Sequence, residues 1–125
     1  MNWDDYPNFS KAEFDCKQTG ENEMRSEFMD VLQRIRTLYN RPIRITSGYR
    51  SPDHSIERAK GSPGAHAYGL ACDIATRGTD MQLLMVLAYN EGIRRFGLDQ
   101  KGSSRFMHID IADKNLHFPR STWTY

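Results

Sequence analysis

The feature that most constrains the fold is a histidine and an aspartate seven residues apart, His66 and Asp73, with Gly69 between them. On one extended strand this separation puts the two side chains on opposite faces and roughly 23 Å apart. On a helix they share a face but lie about 10 Å apart along the axis. If the chain turns at Gly69, where a left-handed backbone costs little, His66 can fold back over a strand that carries Asp73. The spacing therefore predicts a loop-plus-strand site, and a bound cation would explain it.

Apolar periodicity predicts a single α+β domain over residues 1–125, a small antiparallel sheet with two main helices packed on it. The second helix is apolar nearly all round, so we expect it to be well buried, with Thr79 as its N-cap. The segment that ends in Trp123 and Tyr125 is too apolar for a free end, and we expect it to dock on the domain. The predicted helices span about 23–39 and 80–90, and the predicted strands about 43–48, 70–75, 93–98 and 105–111.

Composition excludes some classes of partner. Charged residues make up 26% of the chain but nearly balance, to a formal net charge of +1. This gives no reason to expect nucleic acid or an anionic membrane as the partner. No stretch is apolar enough for a transmembrane span or a signal peptide. The two cysteines, far apart in the chain, are expected to be reduced thiols, and we expect a monomer.

The predicted strands bring a third candidate ligand to the first two. Asp73 has only the small Ala71 and Ala75 beside it on its face of one strand, and His108 lies on another strand. Two histidines and one carboxylate, with a fourth position left for water or substrate, commonly hold catalytic zinc. Taken singly, the three could be an ordinary loop histidine, an ion-paired acid and a core histidine. Together they favour a zinc site on the sheet face.

These residues resemble a known family. Residues 66–73 (HAYGLACD) match the His-x-x-Gly-x-Ala-x-Asp pattern of the zinc D-alanyl-D-alanine carboxypeptidases and peptidoglycan endopeptidases, which share the fold of the Hedgehog signalling domain. Residues 47–52 (SGYRSP) and 106–110 (FMHID) are similar to two further segments of that family. Residues 8–14 resemble the start of its short members from phages and bacteria, so the resemblance runs over nearly the whole chain.

The resemblance implies that His66, Asp73 and His108 bind Zn²⁺ and that Arg50 binds a substrate carboxylate. A guanidinium can hold a carboxylate through two hydrogen bonds, which agrees with this role. The implied function is zinc-dependent hydrolysis of a peptide bond in peptidoglycan stem peptides, by a D,D-carboxypeptidase or endopeptidase of the phage-lysin type that acts on the cell wall. Around Arg50 we expect further substrate contacts, from Ser47, His54 and Tyr68.

The general base is where the sequence departs from part of the family. Several members have a glutamate three residues before the last histidine ligand, and this chain has Arg105 there. Asp110 is the best substitute, because it lies two residues beyond His108 on the same face of a strand. It could equally orient a histidine ring, and His54 is a third candidate for the base. The missing glutamate also supports an alternative, a non-catalytic zinc-containing module for cell-wall binding or structure.

Overall fold

The computed structural model describes all 125 residues and has one five-stranded sheet. Across the sheet the strands lie in the order β1, β2, β4, β3, β5. Every neighbouring pair is antiparallel except β3 and β5, which run parallel. The strands are β1 (Arg44–Ser47), β2 (Ala71–Ala75), β3 (Arg95–Asp99), β4 (Phe106–Asp110) and β5 (Ser121–Thr124).

Four helices and three short 3-10 turns complete the α+β fold, which confirms the predicted class. The 3-10 turns cover Trp3–Asp5, Ala65–Tyr68 and Lys114–Leu116. None of the helices combines the length and the apolar character needed to cross a bilayer. The helices are α1 (Lys11–Phe14), α2 (Ser26–Tyr39), α3 (Ser55–Ala59) and α4 (Gly78–Asn90).

The strand registers divide the sheet into an apolar and a polar face. Because paired residues project to the same side, the alternation of each strand sorts its side chains between the two faces. The polar face carries Asp73 and His108 as one registered pair, with Ala71 and Asp110 as the next pair along. The apolar face belongs to the buried core and carries Cys72, Ile74, Phe96, Met107 and Ile109.

Helix α2 supplies the opposite wall of this core. Its buried side chains recur at the helical spacing that the sequence predicts, and the helix ends where Asn40 adopts a left-handed φ of 53°. The same helix packs against α4. The buried side chains of α2 are Phe28, Met29, Leu32 and Ile35.

The predicted burial of α4 is wrong. Of its residues only Leu84 and Ala88 are buried, whereas Leu83, Val86 and Tyr89 are 44%, 57% and 52% exposed. The helix packs through one face, and an apolar composition all round the helix could not show which face that is. It also begins two residues earlier than expected, at Gly78, so that Thr79 is not its N-cap.

Two smaller expectations are confirmed. Cys16 and Cys72 are both free and buried. The last segment of the chain does dock, since it forms β5 along the edge of β3, with Trp123 in register with Gly97. In that register Trp123 lies on the polar face of the sheet, in the same row as His108.

Candidate metal centre

His66 reaches the sheet from the 3-10 turn that precedes β2. The turn ends at Gly69, whose φ is +72°, so the chain reverses where the sequence requires it to. A Cβ on Gly69 would also collide with the carbonyl oxygen of Glu23, which leaves glycine as the residue that fits. His66 is thereby buried, with its Nδ1 at 2.8 Å from the carbonyl oxygen of Gly48.

Asp73 and His108 face the His66 ring from the two central strands. His108 Nδ1 lies 3.1 Å from Asp73 Oδ1 and 3.1 Å from His66 Nε2. His66 Nε2 lies 3.3 Å from the same Asp73 oxygen. The structure therefore brings the three predicted ligands together, one atom from each, at the corners of a nearly equilateral triangle.

The oxygen atoms behind the two imidazole rings decide which nitrogen of each ring carries a proton. His66 Nδ1 faces a carbonyl oxygen and His108 Nε2 faces the Asp110 carboxylate at 2.6 Å, and neither oxygen can donate. Each ring must therefore donate from its outer nitrogen, which leaves the inner nitrogen of a neutral ring as an acceptor. With Asp73 Oδ1, three acceptors then converge on one point and have no donor among them. Such a group can hold a cation.

Zinc fits this donor set. Ligand atoms about 2.1 Å from a tetrahedral zinc ion lie about 3.4 Å from each other, and the three contacts here are close to that separation. Imidazole nitrogen and carboxylate oxygen are both usual zinc donors, and three protein ligands leave the fourth position for water or substrate. The site is also held before any metal arrives, by the Gly48 carbonyl and by Asp110.

The ionisation of the group follows from the same contacts. Burial would raise the pKa of the Asp73 carboxyl, but its close contacts with the His108 and His66 rings outweigh burial and hold it well below its usual range. Burial would lower the pKa of His108, and its contacts with Asp110 and Asp73 raise it instead. Asp73 is therefore a carboxylate, as a metal ligand must be.

Asp110 is engaged through both of its oxygens. Oδ2 accepts from His108, while Oδ1 accepts from Arg95 Nε at 2.8 Å and from the backbone N–H of Ala112 at 3.0 Å. Its side chain is fully buried on the far side of the His108 ring from Asp73. This placement does not suit a general base, which needs a free oxygen beside the substrate. It suits the alternative role, in which the carboxylate orients a ligand histidine.

Arg50 lies on the other side of the three-atom group. Its Nη2 is 3.9 Å from Asp73 Oδ2 and 3.3 Å from the Ser47 hydroxyl, and its Nη1 is 3.4 Å from Glu57 Oε2. The Glu57 side chain is wholly buried, and it also accepts from Lys60 and from the backbone N–H of Gly64. Glu57 is thus the anchor of the loop that presents Arg50.

A cleft of about 430 Å³ opens above the group. Arg50, Lys60 and Arg95 make its lining cationic, and the aromatic rings come from Phe106, Phe118, Trp123 and Tyr125. Burial raises the pKa of the Tyr125 hydroxyl and the Asp73 charge raises it further, while a hydrogen bond from Trp123 acts in the opposite direction. The cleft can accept a short peptide that carries carboxylates.

The remaining predicted substrate contacts lie apart from this cleft. His54 caps α3, where its Nδ1 accepts from the backbone N–H of Ile56, and it faces a small separate cavity that Ser47 also lines. Tyr68 packs edge to face on Phe118, with ring centroids 6.0 Å apart. Ser47 supports Arg50 through its hydroxyl. The structure therefore does not bring His54, Ser47 or Tyr68 into the lining of the cleft.

Sequence reasoning missed four residues of the site. Arg95 fixes Asp110 and Glu57 fixes Arg50, and each depends on a contact between segments distant in the chain. The sequence partially indicates Trp123 and Tyr125, because alternate residues of a docked strand point to the same face. Only the pairing of this strand with β3, which the sequence did not predict, shows that this face lines the cleft.

The fold and the buried His-Asp-His group define a class of protein, one with a candidate metal centre on the polar face of a mixed sheet. The sequence model of the peptidase M15 family matches residues 7–110 and so covers all three ligands. The chain therefore belongs to the peptidase M15 family, a family of metal-dependent peptidases. No curated protein matches it significantly. Family membership indicates metallopeptidase activity on peptidoglycan, and the buried triangle of acceptors is where a metal ion could bind.

Proposed function

We propose that the protein is a zinc-dependent peptidase that cleaves a peptide bond in peptidoglycan stem peptides, as a D,D-carboxypeptidase or an endopeptidase. The observation that carries the proposal is the convergence of three acceptor atoms, from His66, Asp73 and His108, beside Arg50 in one cleft. Stem peptides are short and bear carboxylates, which fits the cationic lining. The narrowest form of the proposal is a phage-type lysin that acts as a monomer on the cell wall.

His66, Asp73 and His108 would hold the zinc ion. When bound, zinc polarises a carbonyl group and lowers the pKa of a coordinated water to about 7. Arg50 would bind a carboxylate of the stem peptide, because Glu57 and Ser47 hold its guanidinium at the edge of the cleft. Asp110 would keep the proton of His108 on Nε2.

A second candidate function is a zinc-containing module that binds cell-wall peptides without cleaving them. It is favoured by one observation, that the only carboxylate among the residues lining the cleft is Asp73, which is itself a proposed ligand. The expected base at Asp110 is turned away behind His108. Under this reading the cleft would still bind a stem peptide through Arg50.

Metal analysis of the purified protein tests the metal centre. We expect one zinc ion per chain in the parent and its loss in His66→Ala and Asp73→Ala. His117→Asn is the matched control, because His117 is an exposed histidine outside the site and its φ of 65° suits asparagine. A parent protein that binds no zinc would remove both candidate functions.

Digestion of purified peptidoglycan separates the two functions. We expect the zinc-loaded protein to release fragments whose masses identify the bond that is cut, and Asp73→Ala to release none. Arg50→Lys should raise KM, because an ammonium group cannot reproduce the two parallel hydrogen bonds of a guanidinium. Binding to peptidoglycan without any fragments would establish the second function instead. Loss of turbidity in a cell suspension treated with the protein would test the lysin role.

A further inference from the structure

Five residues, one from each strand, form a row across the polar face of the sheet. Ser47 pairs with Asp73, Asp73 with His108, His108 with Gly97, and Gly97 with Trp123. Two of the proposed zinc ligands thus lie in the same row as a tryptophan of β5. Strand β5 lies outside the part of the chain that the family model matches, residues 7–110. The row therefore connects the proposed metal site, which the family model covers, to a strand that the model does not cover.

Trp123 reaches the metal group because Gly97 has no side chain. A Cβ on Gly97 would lie only 2.6 Å from Trp123 Nε1 and 2.7 Å from its Cε2, so the indole occupies the space that any other residue would fill. The ring centroids of Trp123 and His108 are 5.2 Å apart. The indole consequently forms the wall of the cleft next to a proposed zinc ligand.

Tyr125 extends this wall. Its hydroxyl oxygen would be 2.8 Å from the same Cβ on Gly97, so the hydroxyl and the indole Nε1 both lie over that glycine. Its ring packs on Phe106 with centroids 5.1 Å apart, and its backbone oxygen accepts from Lys101 Nζ at 2.6 Å. Tyr125 is half exposed at the open rim of the cleft that His66, Asp73 and His108 close below. Tyr125 is thus held through its ring and its backbone, with its hydroxyl in the lining of the cleft.

We propose that the Tyr125 hydroxyl is a catalytic group of this site, which donates a hydrogen bond to the substrate oxygen that gains negative charge as the peptide bond is attacked. The inference rests on the proposed peptidase function. The indole N–H of Trp123, which also lies over Gly97, can only donate, so it offers the Tyr125 O–H no acceptor and leaves it to donate into the cleft. No bond to Tyr125 is made or broken, and its proton stays on the phenol.

A donor placed where charge develops acts on the transition state more than on the bound substrate. Removing one such donor commonly costs about 100- to 1000-fold in kcat, and less where the site is open to water. Because Tyr125 is half exposed, we expect a loss of about 10- to 100-fold in kcat for Tyr125→Phe, with KM changed less than about threefold.

The test compares the full-length, zinc-loaded parent with Tyr125→Phe, which keeps the ring on Phe106 and the backbone contact with Lys101. Tyr89→Phe is the matched control, because Tyr89 is equally exposed but lies on α4. Kinetics on released stem peptides give kcat and KM. Calorimetric titration with a phosphinate analogue of the D-Ala-D-Ala dipeptide, and with the uncleaved dipeptide, gives a second readout that needs no turnover. Zinc content and melting temperature check that both variants are intact.

We expect Tyr125→Phe to bind the tetrahedral phosphinate about 10- to 100-fold more weakly while its affinity for the planar dipeptide and its zinc content stay unchanged. A Tyr125→Phe variant that hydrolyses stem peptides as well as the parent does would overturn the inference and leave the peptidase function standing. Equal phosphinate affinity in parent and variant would overturn it as well, even without turnover. A zinc-loaded parent that neither cleaves stem peptides nor binds the phosphinate would remove the peptidase function, and the inference with it.

Discussion

The carboxylate of Asp110 lies 2.6 Å from His108 Nε2, on the side of the imidazole ring turned away from Asp73. This one contact decides what His108 can do. An oxygen that only accepts keeps the imidazole proton on Nε2, so the nitrogen facing Asp73 and His66 carries the free electron pair. Arg95 holds the carboxylate from behind through its Nε at 2.8 Å. The pair thus orients His108 for its proposed role as a metal ligand.

Asp110→Asn should weaken zinc binding by about 10-fold or more, because an amide can present its NH₂ to Nε2 and so shift the imidazole proton to the nitrogen that binds the metal. It should also lower the free energy of unfolding by about 2 kcal/mol, since the partly buried Arg95 loses its charged acceptor. Competition with a chromogenic chelator measures the zinc affinity, and urea denaturation measures the stability.

Asp113→Asn is the control for Asp110→Asn. Asp113 is exposed and caps the 3-10 turn Lys114–Leu116, a position that asparagine fills as well. If Asp110 were the general base instead, Asp110→Asn would abolish hydrolysis at saturating zinc while the zinc affinity stayed at the parent value. That pattern would contradict an orienting role.

Glu57→Gln should loosen the loop that carries Arg50. The carboxylate is wholly buried and accepts from Lys60 at 2.8 Å, from the Gly64 backbone N–H at 2.8 Å and from Arg50 at 3.4 Å. A neutral amide leaves two cationic groups without a charged acceptor, so we expect a loss of about 2 kcal/mol in stability. KM for stem peptides should rise, because Arg50 is no longer held. Glu27→Gln, at an exposed position on α2, should change neither quantity.

The contribution of Glu57 should depend on pH. Burial would raise its pKa, but the hydrogen bonds from Lys60 and Gly64 and the charge of Arg50 lower it below the ordinary 4.5. A carboxyl group whose pKa is lower in the folded state stabilises the fold above its unfolded pKa. That stabilisation is lost as the pH falls through the folded pKa. The stability difference between parent and Glu57→Gln should therefore be constant above about pH 4.5 and shrink below it. A difference that grows in acid would contradict this account.

The three proposed metal ligands could be brought together from the sequence because each lies in a local pattern with one workable geometry. His66 and Asp73 needed a turn at Gly69, and the alternation of the two strands put Asp73 and His108 on the same face. The sequence could not decide between the two roles proposed for Asp110, because a spacing of two residues along a strand fixes the face but not the direction of the carboxylate. That direction is set by Arg95 on a neighbouring strand.

The parts of the fold that the sequence left open share this dependence on partners. Helix α4 is apolar on several sides, and which side is buried depends on α2 and the sheet. The segment with Trp123 was expected to dock, but its parallel pairing with β3 depends on Gly97 leaving room for the indole. Local periodicity shows neither which side of α4 is buried nor which strand β5 pairs with.

Gly69→Ala should separate backbone strain from the close approach of the chain to itself. Alanine at this position must keep a φ of +72° and would also collide with the Glu23 carbonyl oxygen. We expect a loss on the order of 3 kcal/mol in stability and a clear loss of zinc affinity, because the turn that carries His66 must move.

Gly61→Ala is the matched control for Gly69→Ala. Gly61 has nearly the same φ, +73°, but a Cβ there meets nothing within 4 Å. It should cost only about 1 kcal/mol, the strain alone, and leave zinc binding unchanged. Equal losses in the two variants would mean that strain, and not the contact with Glu23, fixes glycine at position 69.

Gly97→Ala should displace the indole of Trp123, because the new Cβ would lie 2.6 Å from Nε1 and 2.7 Å from Cε2. We expect a loss of about 2 kcal/mol in stability from overpacking, and weaker zinc binding as the indole moves against the His108 ring. A double-mutant cycle with Trp123→Ala isolates the clash. Once the indole is absent, Gly97→Ala should cost at least about 1 kcal/mol less than in the parent, measured by urea denaturation. The same cost in both backgrounds would mean that Trp123 does not depend on the bare backbone of Gly97 to reach the metal centre.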